Sequence, residues 1–164
     1  MKSIFLSVAL TFAVLTGHAS PTSAMFSNVI TGQASVIDGD TIEIHGERIR
    51  LNGIDAPESD QHCNAADGTA WRCGSESAFY LDDMIGQKPV SCEVSDQDRY
   101  GRFIANCFID DWATNLNANL VEAGLAVAYR KYSQEYIAQE DAARAARRGI
   151  WNGEFMMPWD WRRK

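Results

Sequence analysis

The chain has 164 residues, enough for one domain with a substantial hydrophobic core. It carries 22 acidic and 15 basic side chains and a formal net charge of −7, which argues against a protein that coats nucleic acid through its overall charge. Net charge does not describe a single cleft, so this composition is compatible with a local basic site.

The amino-terminal residues have the pattern of an export signal. A lysine precedes an apolar run from Ile4 to Leu15, and small residues then offer cleavage sites after Ala19 or Ala24. The run is shorter than the about 20 residues that span a bilayer. A buried core helix is the alternative interpretation, but the terminal position and the flanking residues favour a signal. We expect residues 1–24 to be removed.

Residues 25–164 are then expected to form a single exported domain, periplasmic or extracellular, with no stable membrane association. No segment after the signal is apolar enough to cross a membrane. We also expect a monomer.

All four cysteines lie in this exported part, and an even number there indicates two disulfides. Residues 89–111 predict a β-hairpin in which Cys92 can face Cys107, and facing residues come close enough for a bridge. This pairing leaves Cys63 and Cys73 to close a polar loop. Zinc is disfavoured because the cysteines form no CxxC motif and the histidines have no partner at metal-ligand spacing.

The segment from Ser35 to Ile54 is predicted to be rich in β-strand. Ile42 and Ile44 alternate with polar residues, the period of a half-buried strand. His45-Gly46-Glu47 is typical of a turn that returns the chain into a second strand.

Three helices are predicted further along the chain. Ser75 and Ser133 are candidate N-caps, and Glu140 and Arg144 have the i,i+4 spacing of an ion pair. The predicted helices cover Ser75 to Ile85, Leu116 to Ala123 and Ser133 to Arg148, with a short strand at Leu125 to Tyr129. About five strands and these helices predict a small barrel of the α+β class, mainly β.

Asp40 is a candidate functional acid. It has the same strand parity as Ile42 and Ile44, so its side chain points toward the core, where an unpaired carboxylate is costly. The alternative is that Asp38-Gly39-Asp40 is an ordinary turn whose acids are exposed or bonded to backbone N–H groups. Taken alone, the motif favours the turn.

The stretch RLNGIDAPESD, Arg50 to Asp60, places several acids beside an arginine. Arg50 and Asp55 differ in strand parity, and a bulge at Asn52-Gly53 would bring both to one side. The carbonyl of Ala56 would then lie beside the Asp55 carboxylate, an all-oxygen set suited to a hard cation such as Ca²⁺. Glu58 would follow closely. An acidic surface turn without a ligand is the rival interpretation.

The segment DRYGR, Asp98 to Arg102, adds a second fixed guanidinium, although by itself it is typical of a charged hairpin turn. Two arginines, a cation site and a further carboxylate are the groups needed to hydrolyse a phosphodiester. Guanidinium groups bind phosphate oxygens in pairs, and a carboxylate can orient or deprotonate water.

The motifs DGDT, R-x4-D-x-P-E and D-x-YGR occur in this order, followed by NLVEAGLA and an alanine-rich helix. Together they resemble the thermonuclease (staphylococcal nuclease-like) family from about Ser35 to Trp151. The resemblance implies a five-stranded OB-type barrel with three helices. It also implies Ca²⁺-dependent cleavage of DNA and RNA to products that end in 3′-phosphates.

The resemblance also implies roles for individual residues. Asp40, Asp55 and the carbonyl of Ala56 would bind Ca²⁺, Glu58 would act as the general base, and Arg50 and Arg102 would bind the phosphate and stabilise the transition state. The residues expected to contact substrate are Arg99, Tyr129, Lys131 and Tyr132.

The chain departs from the best-known family members in its charge and its cysteines. Its loop SDQHCNAADGTAWRCG, residues 59–74, almost lacks lysine and is predicted to be clamped by a disulfide. Weaker attraction for the phosphate backbone should raise KM and flatten the salt dependence of binding. For the terminal WDWRRK, both packing and substrate contact fit the sequence, and the aromatic residues favour packing.

Two other functions fit parts of the sequence. A non-catalytic OB-fold module that binds nucleic acid or protein would be favoured by the loss of one of the proposed catalytic residues, but all of them are present. An inert protein stabilised by disulfides leaves the positions of Asp40 and Asp55 unexplained.

Overall fold

The computed structural model describes residues 28–164. The predicted signal lies outside the described residues. The α+β class, mainly β, is confirmed. The strands are β1 (Val29–Gly32), β2 (Ala34–Asp38), β3 (Thr41–Ile44), β4 (Glu47–Leu51), β5 (Ile54–Asp55), β6 (Cys63–Ala65), β7 (Ala70–Trp71), β8 (Val90–Gln97), β9 (Phe103–Ile109), β10 (Thr114–Asn115), β11 (Val127–Ala128) and β12 (Gly153–Glu154). The helices are α1 (Cys73–Ile85), α2 (Leu116–Glu122), α3 (Ile137–Ala145) and α4 (Pro158–Trp161), with a 3₁₀ turn at Gly149–Asn152.

The main sheet has seven strands in the order β1-β8-β9-β4-β3-β2, with β10 paired to β9. Its neighbours are antiparallel except for β4 and β9, which are parallel. Two smaller sheets pair β11 with β5 and join β12, β6 and β7. The parallel β4–β9 pair joins two antiparallel strand groups into one surface.

The predicted five-stranded barrel with three helices needs correction. In the described part of the chain the strand order does not close on itself, and four α-helices are present. Strand β1 lies before the segment that was predicted to be rich in strand. Gln33 separates it from β2, and the two strands pair with different neighbours. The additional helix begins at Pro158 in the carboxy-terminal segment, where Pro at the first helical position is favourable.

The alternation predicted in β3 places Ile42 and Ile44 in the core with no exposed surface. They pack with residues of β4, β9 and the first two helices into the main hydrophobic cluster. Asp40 and Thr41 are also buried at the start of β3, so Glu43 is the residue of this strand that is partly exposed. This polar end of the strand faces the candidate site.

The β8–β9 hairpin places Cys92 opposite Cys107, as the sequence predicts, and the structure contains both expected disulfides, Cys92–Cys107 and Cys63–Cys73. The second bridge clamps residues 59–74, and β12 adds to the same loop by pairing with β6. Among residues 28–164, none of the helices combines the length and apolar character needed to cross a membrane.

Helix α1 begins at Cys73 rather than at a Ser75 cap, and Gly74 in its first turn lies against the backbone of Glu58. A Cβ added at Gly74 would be 1.6 Å from the Glu58 carbonyl oxygen, so only glycine permits this contact. Glu58 is therefore held by the start of a helix.

Helix α3 begins at Ile137, four residues after the predicted Ser133 cap. The Ser133 hydroxyl instead accepts a hydrogen bond from the Glu135 N–H at 3.1 Å and stabilises the preceding turn. The predicted Glu140–Arg144 pair does not form either. The buried Glu140 side chain accepts from Arg130 Nε at 3.1 Å and from the Ala128 N–H at 3.3 Å, since it faces β11 rather than solvent.

Candidate active site

One cleft of about 1080 Å³ is lined by most of the residues singled out in the sequence. Asp55 has no exposed surface and contacts this cleft through Arg50. The lining includes Asp40, Arg50, Ala56, Glu58, Arg99, Arg102, Tyr129, Lys131 and Tyr132. The structure therefore brings the sequence-predicted residues together on one face.

The acids Asp40 and Asp55 are joined by a shared arginine. Arg50 Nη1 donates to Asp40 Oδ1 at 3.0 Å, and Arg50 Nη2 donates to Asp55 Oδ1 at 2.8 Å. Asp40 also accepts from the Thr41 hydroxyl at 3.1 Å and from the Ala56 N–H at 3.2 Å. The two carboxylates thus lie on either side of one guanidinium.

Local backbone geometry explains this convergence. Arg50 lies opposite Thr41 in the β3–β4 ladder, one residue from Asp40. Asn52 and Gly53 then form a turn between β4 and β5, with Gly53 at a φ of 72°, a conformation that favours glycine. The predicted bulge is therefore a turn. As expected, it brings Arg50 and Asp55, which differ in strand parity, to the same side of the sheet.

Burial dominates the electrostatics of Asp40. Desolvation raises its pKa to about 7, opposed by the charge of Arg50 and reinforced by the charges of Asp38 and Asp55. A single guanidinium shared between two buried carboxylates leaves negative charge uncompensated. The pair would be stabilised by a further cation.

Glu58 lies at the edge of the cleft with its side chain partly exposed. Its N–H donates to Gln61 Oε1 at 3.2 Å, and Gly74 packs against its carbonyl. These backbone contacts position a carboxylate beside the buried acids while leaving it accessible to solvent.

Arg102 is held by an acid of its own hairpin turn. Its Nε donates to Asp98 Oδ2 at 2.8 Å, and its backbone N–H donates to Asp98 Oδ1 at 3.0 Å. Burial acts to raise the pKa of Asp98, but hydrogen bonds from Arg102 and from the Tyr100 N–H outweigh it and lower that pKa. Arg99 contacts the Tyr100 hydroxyl at 2.6 Å, so both arginines lie near one exposed ring.

Aromatic rings line the opposite part of the cleft. The ring of Tyr132 meets Tyr129 edge-on at 4.8 Å, and Lys131 Nζ lies 5.3 Å from the centre of the Tyr132 ring. The indole of Trp159 is stacked on Tyr129 at 5.4 Å with an interplanar angle of 11°. The terminal aromatics therefore pack against a residue expected to contact substrate.

Arg162 is the site residue that the sequence interpretation missed. Its Nη2 donates to Asp55 Oδ2 at 2.8 Å, its Nη1 donates to Asp55 Oδ1 at 3.0 Å, and it also pairs with Glu58. The mixture of tryptophan and arginine in WDWRRK was the available signal. It could not distinguish Arg162 from Arg163, which pairs instead with Asp160.

A known protein family matches the part of the chain that contains most of these site residues. A profile of the family described as Staphylococcal nuclease homologue matches residues 48–153, most of the chain. The chain belongs to this family. The resemblance inferred from the motifs is thus confirmed. The matched range contains Arg50, Asp55, Glu58 and Arg102, whereas Arg162 follows it.

Relatives of this staphylococcal nuclease homologue differ in name. The succinoglycan biosynthesis protein ExoI of Rhizobium meliloti (strain 1021) is 42% identical over 144 residues, covering 87% of this chain and 75% of that protein. A micrococcal nuclease of Shigella flexneri is 34% identical over 144 residues, with coverages of 78% and 77%. An uncharacterized endonuclease of Escherichia coli O157:H7 is 33% identical over 136 residues, with coverages of 79% and 82%.

Proposed function

We propose that this protein is a Ca²⁺-dependent, sugar-non-specific nuclease that hydrolyses phosphodiester bonds of DNA and RNA to 3′-phosphate products. The observation that carries the proposal is the single cleft that gathers two buried carboxylates, Glu58, Arg50 and Arg102. Membership of a nuclease family and the similarity to a micrococcal nuclease support it. Family membership also implies an OB-type fold, although the sheet among the described residues has seven strands and does not close.

The donor set fits a hard cation. Asp40, Asp55 and the carbonyl of Ala56 offer only oxygen ligands. Apart from Arg162 of the carboxy-terminal segment, the two carboxylates share the single guanidinium of Arg50, which favours additional positive charge. Described residues 28–164 contain no cluster of three or more acidic, histidine or cysteine ligands, so water and substrate oxygens would complete the coordination. When bound, Ca²⁺ would supply electrostatic stabilisation of charge on the phosphate.

The chain's own groups account for the remaining chemistry. Glu58 is partly exposed at the edge of the cleft, where it would orient a water molecule and accept its proton. The water oxygen forms a bond to phosphorus as the bond from phosphorus to the 5′ oxygen breaks. The departing 5′ oxygen takes up a proton from a solvent water, so the products are a 3′-phosphate and a 5′-hydroxyl. Arg50 and Arg102 would donate to the phosphate oxygens, whose negative charge increases in the transition state.

The aromatic wall would bind the nucleotide. Tyr129 and Tyr132 would supply rings on which a base can stack, and Lys131 and Arg99 would supply positive charge for flanking phosphates. The acidic net charge predicts weaker attraction for duplex backbones than in a basic protein.

Export into an oxidising compartment, the periplasm or the medium, is part of the proposal. The disulfides Cys63–Cys73 and Cys92–Cys107 support it, because such bonds persist in oxidising environments.

Incubation of purified protein with DNA and with RNA, with and without Ca²⁺, tests the function directly. Cleavage should vanish with a Ca²⁺ chelator and return with added calcium. Glu58→Ser and Arg102→Gly should each lower the rate by about 10²–10⁴-fold with unchanged circular dichroism. Glu47→Ser, an exposed acid in β4, is the matched control and should leave the rate unchanged. Binding of nucleic acid without cleavage would instead indicate a non-catalytic OB-fold module.

A further inference from the structure

The carboxy-terminal tail, defined here as residues 153–164, is attached to the loop that the Cys63–Cys73 disulfide clamps. Within it, β12 pairs with β6, and the fully buried Gln61 donates from Nε2 to the Met156 carbonyl at 2.6 Å. The same Gln61 accepts from the Glu58 N–H. The tail and the candidate general base thus share a buried amide, which holds the tail in register with the cleft.

Helix α4 then carries the tail across the aromatic wall. Trp159 covers one face of Tyr129, and Trp161 Nε1 donates to Asp60 Oδ1 at 3.1 Å. A nucleobase that stacked on this face of Tyr129 would need the area that the indole covers.

Arg162 of the tail contacts the acids of the cleft, Asp55 and Glu58. Both oxygens of Asp55 accept hydrogen bonds from its guanidinium, and Asp55 Oδ1 also accepts from Arg50. An arginine side chain is charged at ordinary pH, and this one also pairs with Glu58, so it brings a positive charge into contact with both acids. Its guanidinium supplies the positive charge that the carboxylate pair lacks.

We propose that the carboxy-terminal tail is an intramolecular inhibitor, in which Arg162 occupies the Asp55 carboxylate required by a divalent cation and Trp159 occupies the ring required by a nucleobase. This inference rests on the proposed nuclease function and adds a regulatory step to it. The Arg162 guanidinium lies against both oxygens of Asp55, so a cation bound to this carboxylate would meet a like charge at contact distance, and the two compete for it. The tail must leave Asp55 before the cation binds.

Thermodynamic linkage between release of the tail and binding of the cation predicts how much the tail weakens cation binding. A cation that binds only the open state has its apparent affinity reduced by the fraction of molecules in that state. Coupling between two binding events in one protein typically changes the affinity of each by about 5- to 150-fold. Removing the guanidinium should therefore tighten Ca²⁺ binding, whereas removing a residue that helps to bind the cation would weaken it.

The test is isothermal titration calorimetry of the full chain with CaCl₂, comparing wild type, Arg162→Gln and Arg163→Gln. Arg163 is the matched control, because it is adjacent, more exposed and pairs with Asp160 rather than with the cleft acids. We expect Arg162→Gln to bind Ca²⁺ at least about fivefold more tightly and Arg163→Gln to match wild type. Equal or weaker binding by Arg162→Gln would overturn the inhibitory role.

Hydrogen exchange gives a second measurement on the unmodified protein. Addition of CaCl₂ should increase amide exchange in residues 158–164, because the cation displaces the tail, while exchange in β12 should change less. Exchange in 158–164 that is unchanged or slower with calcium would contradict the proposal.

These outcomes separate this inference from the function on which it rests. If all three proteins bind calcium equally and cleave nucleic acid, the nuclease assignment holds and the tail is not an inhibitor. If none binds calcium, the cation role fails, and the inhibitory role is rejected with it.

Discussion

The substitution Asn117→Ala tests how the core positions the candidate site. Asn117 lies in α2 with no exposed surface. Its Oδ1 accepts from the Cys107 N–H at 3.0 Å, and its Nδ2 donates to the Asn52 carbonyl at 2.9 Å and, at 3.3 Å, to that of Ala105. The side chain therefore joins a helix, the β9 strand and the turn that separates Arg50 from Asp55.

Alanine would leave the buried Cys107 N–H and the part-buried Asn52 carbonyl without these partners. The Ala105 carbonyl retains the Asn52 N–H at 2.8 Å. An unsatisfied buried group costs about 1–3 kcal/mol, and the Asn52 carbonyl costs less because water can partly reach it, so the free energy of unfolding should fall by about 1–4 kcal/mol. That is a large share of the about 5–15 kcal/mol that is typical of a domain.

Urea denaturation followed by circular dichroism measures this change. Asn119→Ala is the matched control, because its amide is only partly buried and bonds within the helix region to the Asn115 carbonyl at 2.8 Å. We expect the control to lose less than about 1 kcal/mol. A loss of under about 1 kcal/mol for Asn117→Ala would refute the reasoning, since water or rearrangement would then satisfy both groups.

Three further variants test other contacts. Glu140→Gln should lower the free energy of unfolding, because it removes the negative charge that accepts the Arg130 bonds; urea denaturation measures this change. Replacing both Cys92 and Cys107 by alanine should lower it by about 3 kcal/mol in the chain-entropy description, since the bridge joins residues 15 apart, as the shift in the urea midpoint will show. Asp98→Asn should lower the cleavage rate by about 10- to 100-fold through misplacement of Arg102, with little change in the urea midpoint.

Each has a contradicting outcome. Wild-type stability of Glu140→Gln would mean that a neutral amide serves Arg130 equally well, and Glu135→Gln, an exposed acid, provides its control. An unchanged midpoint in the double cysteine variant would show that the disulfide does not constrain the unfolded chain. Full cleavage by Asp98→Asn would mean that Arg102 does not depend on its pairing for position.

Local sequence patterns predicted the centre of the site. Strand parity placed Asp40 toward the core, and the glycine after Asn52 predicted that Arg50 and Asp55 would meet on one side. Both arguments need only a few consecutive residues. The same holds for the facing cysteines of the β8–β9 hairpin, whose register is set by its turn.

Contacts between distant residues could not be predicted in this way. Arg162 is 107 residues from Asp55, and their pairing depends on β12, Gln61 and α4 together. Glu140 was expected to pair along its own helix but is drawn to Arg130, because its helix face is covered by β11. Asn117 had no sequence signal, since an asparagine within a helix is usually exposed.

The docked position of the tail bears on how the protein should be prepared. Lys164, two residues beyond Arg162, still donates its N–H to the Trp161 carbonyl at 3.2 Å. A polyhistidine affinity tag fused after Lys164 would therefore bring metal-chelating imidazoles next to Asp55 and Glu58 and compete in any titration. A removable tag placed ahead of β1 leaves the carboxy-terminal end as it occurs in the chain.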